Sequence, residues 1–208
     1  MWTNCDLNEI QTIRNTPLSE STRGLLIGTS LGDGCLRPIR NQEHAYLKVG
    51  NKGKLFVEYK LDLFSEICKE NTLIKRWEYK GKESYHFNTI AHPDIYKIYS
   101  MMYINGVKII TEELFKDLTI AGLALWYLDD GYYRRKSKQY FLSTCNFTLE
   151  EHHMMREQLR KKFDVYTSII QNQTYYKLYI ASRSREQFEK LLSHFIPPCM
   201  QYKYGAQL

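Results

Sequence analysis

The feature that most restricts how this chain of 208 residues can fold is a weak internal duplication. Residues 26–108 can be set above residues 123–203, with a period of roughly 95 residues. In each copy a small-residue-rich apolar segment ends in Asp-Gly, and strand, helix and hairpin signals follow in the same order. We therefore predict an α+β fold of two pseudo-symmetric α-β-β-α-β-β-α halves, at residues 1–108 and 109–208.

Local signals place the elements of each half. In the first half they predict elements at 25–34, 36–40, 45–49, 73–79, 85–90 and 93–103. In the second they predict elements at 121–131, 132–135, 139–144, 165–171, 175–181 and 184–192. Apolar residues at spacings of three and four mark a further helix between the two hairpins of each half: Phe56, Tyr59, Leu63 and Ile67, then Met155, Leu159 and Phe163. Two capping boxes are predicted, Thr148 with Glu151 and Ser184 with Gln187.

The first apolar helix of the duplication carries glycines at four-residue spacing, Gly24, Gly28 and Gly32. Each costs about 1 kcal/mol of helix propensity relative to Ala. Glycines on one face allow another helix to approach closely, and this contact offsets that cost. The expected partner is the first helix of the second half, where Ala121 and Ala124 recur.

Both of these helices end in a carboxylate, Asp33 and Asp130, before a Gly suited to a left-handed cap. A carboxylate at a helix C-terminus opposes the macrodipole, and two at packed, equivalent helix ends repel each other unless a cation compensates. A lone Asp-Gly pair is usually a surface turn. Two at the ends of duplicated helices instead predict a divalent-metal site.

The residues of these helices resemble the signature of the LAGLIDADG homing endonucleases. Residues 26–34, LIGTSLGDG, match its leading Leu, its Gly and its closing Asp-Gly, and residues 123–131, LALWYLDDG, match its Leu-Ala and closing Asp-Gly. The resemblance covers nearly the whole chain and is nearest to the single-chain branch with two motifs. Leu125 and Asp129 replace small residues of the signature, and position in the motif favours Asp130 over Asp129 as the metal ligand.

The resemblance implies a site-specific endonuclease that hydrolyses both strands of a long asymmetric DNA target. Its halves would pack through the signature helices, with the β-sheets forming a DNA-binding saddle. Asp33 and Asp130 would hold Mg²⁺ or Mn²⁺. In the single-chain members a lysine near the end of each half lies by the scissile phosphate, and Lys108 and Lys203 occupy comparable places here, 75 residues after Asp33 and 73 after Asp130.

Sequence recognition is expected from the strands, because a β-ribbon fits the major groove. Strand alternation places Lys138 and Tyr140 on one face and Gln139 and Phe141 on the other. Most of the candidate side chains are expected to contact phosphate. The candidates are Arg37, Arg40, Lys48, Lys75, Arg76, Lys80, Lys82 and His86 in the first half, and Arg134, Arg135, Lys136, Lys138 and Tyr140 in the second.

Composition agrees with a polyanionic partner. Lys and Arg total 29 against 23 acidic residues, a formal net charge of +6. Five scattered cysteines indicate neither a disulfide framework nor a zinc knuckle, and residues 1–6 lack the features of a secretory signal. No stretch approaches the ~20 apolar residues of a membrane span. We therefore expect a soluble intracellular protein, either cytoplasmic in a microbe or phage host, or organellar.

Two other functions stay open. The chain could be an RNA maturase that binds its own intron, or a DNA-binding protein that no longer cuts, because a fold does not fix a function. The presence of both aspartates and both lysines favours the enzyme, since a pure binder gains nothing from like charges at the helix interface. His152-His153 and His92-Pro93-Asp94 lack the spacing of metal ligands and are expected to have core or surface roles. One chain supplies both halves, so a monomer is expected.

Overall fold

The computed structural model describes residues 4–172 and 174–205, so the interpretation of residues 1–3 lies outside its described part. A helix not predicted from the sequence, α1 (Asn4–Asn15), precedes the repeated elements. The first half comprises α2 (Glu20–Leu31), β1 (Cys35–Pro38), β2 (Ala45–Asn51), α3 (Lys54–Leu63), β3 (Lys75–Tyr79), β4 (Lys82–Asn88) and α4 (Pro93–Met102). A short pair, β5 (Tyr103–Ile104) and β6 (Val107–Lys108), and α5 (Glu112–Asp117) then lead to the second half.

The second half repeats the order of the first. It comprises α6 (Ile120–Asp130), β7 (Gly131–Arg134), β8 (Gln139–Leu142), α7 (Leu149–Phe163), β9 (Thr167–Asn172), β10 (Tyr175–Ile180) and α8 (Arg185–Leu192). Short 3₁₀ turns are found at Ser65–Ile67, Ser182–Ser184, Ser193–Phe195 and Pro198–Lys203. The predicted α-β-β-α-β-β-α order is therefore confirmed in both halves, whereas the division at residues 108 and 109 stays a prediction.

Each half contains one four-stranded antiparallel sheet, with strand order β1-β2-β4-β3 in the first and β7-β8-β10-β9 in the second. The central strands pair Val49 with Phe87 and Leu142 with Leu178, and all four side chains are buried. Alternation sends neighbouring side chains to the opposite surface. We call the surface of each sheet that faces away from the core its open face. The first open face carries Arg37, Lys48, Lys75, Trp77, Tyr79, Lys82, Ser84 and His86. The second open face carries Tyr132, Arg134, Gln139, Phe141, Lys177 and Tyr179.

The halves meet through α2 and α6, whose backbones are in direct contact. A Cβ built on Gly28 would lie 1.9 Å from the Gly122 carbonyl oxygen, and one on Gly122 would lie 2.1 Å from the Gly24 carbonyl oxygen. The close approach predicted from the glycine spacing is confirmed. The predicted partner helix is confirmed as well, and the residue of α6 nearest to the α2 glycines is Gly122, which the recurring Ala121 and Ala124 did not single out.

The prediction of left-handed glycine caps is wrong. Gly131 has an extended backbone with φ −84°, and Gly34 is not among the residues with positive φ. Both positions need glycine for space, since a Cβ on Gly131 would lie 2.1 Å from the Tyr127 ring and one on Gly34 would lie 2.6 Å from the Thr29 carbonyl oxygen. The signature glycines thus serve close packing and not a special φ.

Of the two capping boxes predicted from the sequence, one is confirmed and one is wrong. The Thr148–Glu151 capping box is confirmed, with both reciprocal hydrogen bonds present at the start of α7. The Ser184 box is wrong, because the Ser184 hydroxyl instead accepts a hydrogen bond from the backbone N–H of Tyr166. The predicted hairpin turn at Lys80 and Gly81 is confirmed, with φ values of 50° and 72°.

Candidate active site and nucleic-acid interface

The two signature carboxylates lie at the same end of the packed helix pair. Asp130 is the last residue of α6, and Asp33 follows α2 by two residues and is exposed. The pKa of Asp130 is raised to about 6, first by burial and then by the charges of Asp33 and Asp129, whereas the charges of Lys108 and Lys203 oppose the rise. The helix ends therefore carry a cluster of like charges that the nearby lysines only partly compensate.

Lys108 and Lys203 each bind backbone carbonyl oxygens near the C-terminal end of one signature helix. The Lys108 ammonium donates to the Ser30 carbonyl oxygen at 2.6 Å, and the Lys203 ammonium donates to the carbonyl oxygens of Leu128 and Asp129 at 2.7 and 2.9 Å. Burial lowers the pKa of both lysines, and the neighbouring aspartates oppose this effect. Each lysine thus closes the last turn of one helix beside the carboxylate cluster.

Different secondary-structure elements carry the two lysines. Lys108 ends the short β5–β6 pair, whose turn residues Asn105 and Gly106 have φ values of 52° and 78°. Asn-Gly is the usual sequence of such a two-residue turn, so the chain carries a local signal for this hairpin, although it is missing from the predicted elements. Lys203 is the last residue of the 3₁₀ segment Pro198–Lys203.

Asp129 takes part in a buried ion pair that sequence reasoning missed. Its Oδ1 lies 2.5 Å from the Lys60 ammonium, and neither side chain is exposed to solvent. Burial raises the pKa of the Asp129 carboxyl, and the Lys60 charge opposes that rise. Lys60 is completely buried on the inner surface of α3. Among the lysines of the described residues, this burial distinguishes it from the others.

Asp33 opens onto the first open face. It lines a broad depression together with Arg37, Lys48, Lys52 and His86. Burial lowers the pKa of His86, and the charge of Lys48 lowers it further. A carboxylate that could hold a cation therefore adjoins a basic surface that could hold phosphates, which is the juxtaposition that hydrolysis of a nucleic-acid backbone requires.

The second open face carries a layer of stacked rings and cations. Tyr132 and Phe141 stack with their centroids 4.7 Å apart, and the Arg134 guanidinium lies 4.9 Å from the Phe141 centroid. The Lys177 ammonium lies 5.2 Å from the same centroid and donates to the Tyr132 hydroxyl at 3.0 Å. Phe141 is 2% exposed although it faces away from the core, because these side chains cover it. The cations are therefore held in fixed positions before any ligand binds.

Two of the predicted DNA contacts are corrected by strand alternation. Tyr140 is 1% exposed, packs against Tyr127 and Phe188 and donates to Glu189, so it belongs to the core. Arg76 pairs with Tyr85 in the ladder and forms ion pairs with Glu78 and Glu83, all on the surface opposite the first open face.

The other candidates keep exposed or half-buried positions. Lys48, Lys75, Lys82, Arg37 and His86 belong to the first open face, and Arg134 belongs to the second. The remaining candidates lie in turns next to these strands: Arg40, Lys80, Arg135, Lys136 and Lys138. Lys138 has φ 50° and ends the turn before β8, so it does not belong to the alternation of that strand.

His92 and His152, for which the sequence indicated no metal-binding role, are buried and hydrogen-bonded. His92 accepts a hydrogen bond from the Asp94 backbone N–H at the start of α4, and His152 contacts the Thr144 hydroxyl at 2.7 Å. Within residues 4–172 and 174–205 no group of three His, Cys, Asp or Glu side chains is arranged to hold a metal ion. A metal at the helix ends would have to rely on few protein ligands.

The two halves are alike and pack through α2 and α6, at whose ends lie Asp33 and Asp130. Open basic sheet faces lie beside these carboxylates. This arrangement defines a protein that acts on nucleic acid. The family model described as "LAGLIDADG DNA endonuclease family" matches residues 23–188. This chain belongs to that family. In the part of the chain that the structure describes, no helix has the length and apolar character needed to cross a membrane.

Curated relatives of this chain include proteins named for different functions. "Probable intron-encoded endonuclease 1" of Wickerhamomyces canadensis is 30% identical over 197 residues, which cover 90% of this chain and 85% of that protein. "Cytochrome b mRNA maturase bI2" of Debaryomyces hansenii is 27% identical over 202 residues, covering 92% and 76% respectively. Similarity to this chain is thus found both in a protein named for DNA cleavage and in one named for RNA maturation.

Solved structures support the same fold. The homing endonuclease I-WcaI, determined bound to its DNA recognition sequence, is similar with a TM-score of 0.84 and 26% identity, covering 100% of this chain and 96% of that one. I-DmoI, determined in complex with DNA and Ca, has a TM-score of 0.52 at 14% identity and covers 87% and 95%. The second likeness shows the fold alone.

Proposed function

We propose that this chain is a homing endonuclease that cuts both strands of a long asymmetric DNA site with the help of a divalent metal. The observation that carries the proposal is the placement of Asp33 and Asp130 at the touching ends of α2 and α6, beside open basic faces on both halves. The raised pKa of Asp130 supports it, since a cation would neutralise the clustered charge.

The donor set suits a hard divalent cation such as Mg²⁺ or Mn²⁺. Carboxylate oxygens are the preferred ligands, and such ions commonly keep several waters and take phosphate oxygens when few protein groups are offered. Asp33 and Asp130 would hold the metal, which when bound would supply an activated water and charge stabilisation for phosphodiester hydrolysis. The Asp33 and Asp130 carboxylates would hold and orient it at the junction of the two halves.

Lys108 and Lys203 are proposed to stabilise the negative charge that develops at the two scissile phosphates. Their half-buried ammonium groups are fixed by hydrogen bonds to the last turns of α2 and α6. A fixed donor beside a developing charge needs little reorganisation during the reaction. One lysine per half gives each strand its own electrostatic partner.

Recognition is proposed to come from both open faces. The first face offers exposed cations that can follow phosphates, and the second offers cations already fixed against Phe141. Because the two faces differ in sequence and in construction, the two half-sites are expected to differ as well. Such a target is asymmetric, and one chain covers it.

The test is selection of cleaved molecules from a library of random duplexes incubated with the protein and Mg²⁺ or Mn²⁺. We expect double-strand cuts within one long asymmetric sequence and their loss in EDTA. Asp33→Asn and Asp130→Asn should still bind the selected duplex but should not cut both strands. Full cutting by either variant would contradict the site assignment, and binding without any cutting would identify a DNA-binding protein.

A maturase function is the second candidate, favoured by similarity to the Debaryomyces hansenii protein. It predicts tight binding of a folded intron RNA in competition with duplex DNA of equal length. Filter binding with both ligands, at several salt concentrations, separates the two functions. The free thiols Cys35, Cys68, Cys145 and Cys199 among the described residues support action in a reducing, intracellular compartment for either function.

A further inference from the structure

The ion pair between Lys60 and Asp129 joins the two halves directly beneath the carboxylate cluster. Lys60 belongs to α3 of the first half, and Asp129 belongs to α6 of the second, 69 residues further along the chain. The Lys60 ammonium also lies 4.7 Å from the centroid of the Phe56 ring. Both side chains are completely buried, so the pair is shielded from solvent and salt.

This arrangement is not repeated at the first signature helix. The residue before Asp33 is Gly32, whereas the residue before Asp130 is Asp129. A Cβ built on Gly32 would lie 2.4 Å from the Asp129 Cβ and 2.9 Å from its Oδ2. The Asp129 side chain therefore crosses the space that Gly32 leaves open, and only α6 brings an additional carboxylate to the interface.

Stability alone does not explain the presence of this buried ion pair. A buried ion pair adds little to stability compared with apolar residues of similar volume, but a buried carboxylate without its cation is very unfavourable. Asp129 Oδ1 is satisfied by Lys60, whereas Oδ2 has no hydrogen-bond partner in the described part of the molecule. Without Lys60, a third negative charge would adjoin Asp33 and Asp130.

We propose that Lys60 is a positioning residue: it retains Asp129 as a structural anion, so that Asp33 and Asp130 alone bind the metal. The pair also ties α3 to the last turn of α6, whose Asp129 carbonyl oxygen accepts a hydrogen bond from Lys203. Lys60 thereby fixes the helix end that carries Asp130 and accepts the hydrogen bonds of Lys203. The inference rests on the proposed endonuclease function and adds the division of labour between the adjacent aspartates.

Mn²⁺ binding to the free protein, followed by electron paramagnetic resonance, tests the division of labour without DNA or cleavage. The decisive variant is Lys60→Met/Asp129→Asn, which removes both charges together and avoids the unpaired charge of either single change. We expect it to bind the wild-type number of Mn²⁺ ions with a Kd within about threefold of wild type. Asp33→Asn and Asp130→Asn should each weaken binding at least about tenfold, since each removes a ligand.

A loss of about tenfold or more in the double variant would show that Asp129 is a metal ligand and would overturn the proposal. Failure of the wild-type protein to bind Mn²⁺ would also overturn it. Wild-type protein that binds Mn²⁺ but cuts no duplex would contradict the proposed function and leave this inference standing, so the two failures are distinguishable.

The positioning role has a separate kinetic signature. At saturating duplex and metal, the double variant should cut about tenfold more slowly while the metal concentration for half-maximal rate stays unchanged, because positioning acts on the rate and not on metal binding. Lys60→Arg, which keeps the cation, should restore most of the rate. A double variant that cuts at the wild-type rate would show that Lys60 has only a structural role.

Discussion

Replacing Asp130 by Asn should stabilise the protein while abolishing double-strand cleavage. In the folded protein the pKa of this carboxyl is about 6, against an ordinary value of 3.8. At neutral pH the folded state therefore holds an unfavourable negative charge, which corresponds to at most about 3 kcal/mol. Because the group is only half-buried, solvent screening reduces the expected gain to about 1–2 kcal/mol.

The pH dependence follows from the sign of this shift. A raised carboxyl pKa favours the folded state at low pH, where the group is protonated, and this contribution is lost as pH rises from about 4 through about 6. Asn has no such titration. The stability difference between Asp130→Asn and wild type should therefore be near zero below about pH 4, grow between pH 4 and 6, and stay constant above pH 7.

Thermal denaturation in EDTA measures the effect. At pH 7.5 a gain of about 1–2 kcal/mol should raise Tm by roughly 2–8 °C for a chain of this size. Ca²⁺ should then raise the Tm of the wild type but not that of the variant, because only the wild type retains both proposed ligands. Asp62→Asn, at an exposed position of α3, is the matched control and should change stability by less than about 0.5 kcal/mol. An Asp130→Asn protein no more stable than wild type at pH 7.5, or equally shifted at pH 4, would refute the electrostatic argument.

Further predictions address the helix interface, the catalytic lysine, the DNA surface and stoichiometry. Gly28→Ala should destabilise the protein by about 3 kcal/mol in urea titrations, because its Cβ would meet backbone, whereas Gly53→Ala, whose Cβ would make only ordinary van der Waals contacts, should cost less than about 1 kcal/mol. Lys203→Met should slow single-turnover cutting about 10²-fold, and an unchanged rate would remove it from the site. Lys177→Ala should weaken duplex binding and reduce its salt dependence, whereas Arg76→Ala, on the opposite surface, should do neither, and equal effects would contradict the assignment of faces. Sedimentation should show one chain per duplex and selection a non-palindromic site, since a symmetric dimer would favour a palindrome.

Features that depend on neighbours along the chain could be predicted from the sequence. The duplicated order of helices and strands, the Thr148–Glu151 capping box and the Lys80-Gly81 turn all follow from residues within four positions of one another. The Asp-Gly motifs located the candidate site for the same reason, since each is a local helix-end signal. The resemblance of these motifs to a known family supplied the expected chemistry.

Contacts between distant segments were decided only by the tertiary structure. The glycine spacing indicated that two helices touch, but only the packing of α6 on α2 placed Gly122 against Gly24 and Gly28. Strand register likewise determined that Tyr140 enters the core, while its neighbour Phe141 lies on the second open face. A one-residue change of register exchanges the two faces, so composition alone could not assign them.

The Lys60–Asp129 pair is the clearest example of a contact that could not be predicted from the sequence. Nothing in the sequence around Lys60 distinguishes it from the exposed lysines, and Asp129 differs from Asp130 only by one position. The pair forms because the close packing of α2 and α6 brings α3 of one half against the end of α6 in the other. Burial then makes each charge depend on its partner, and that dependence exists only in the folded molecule.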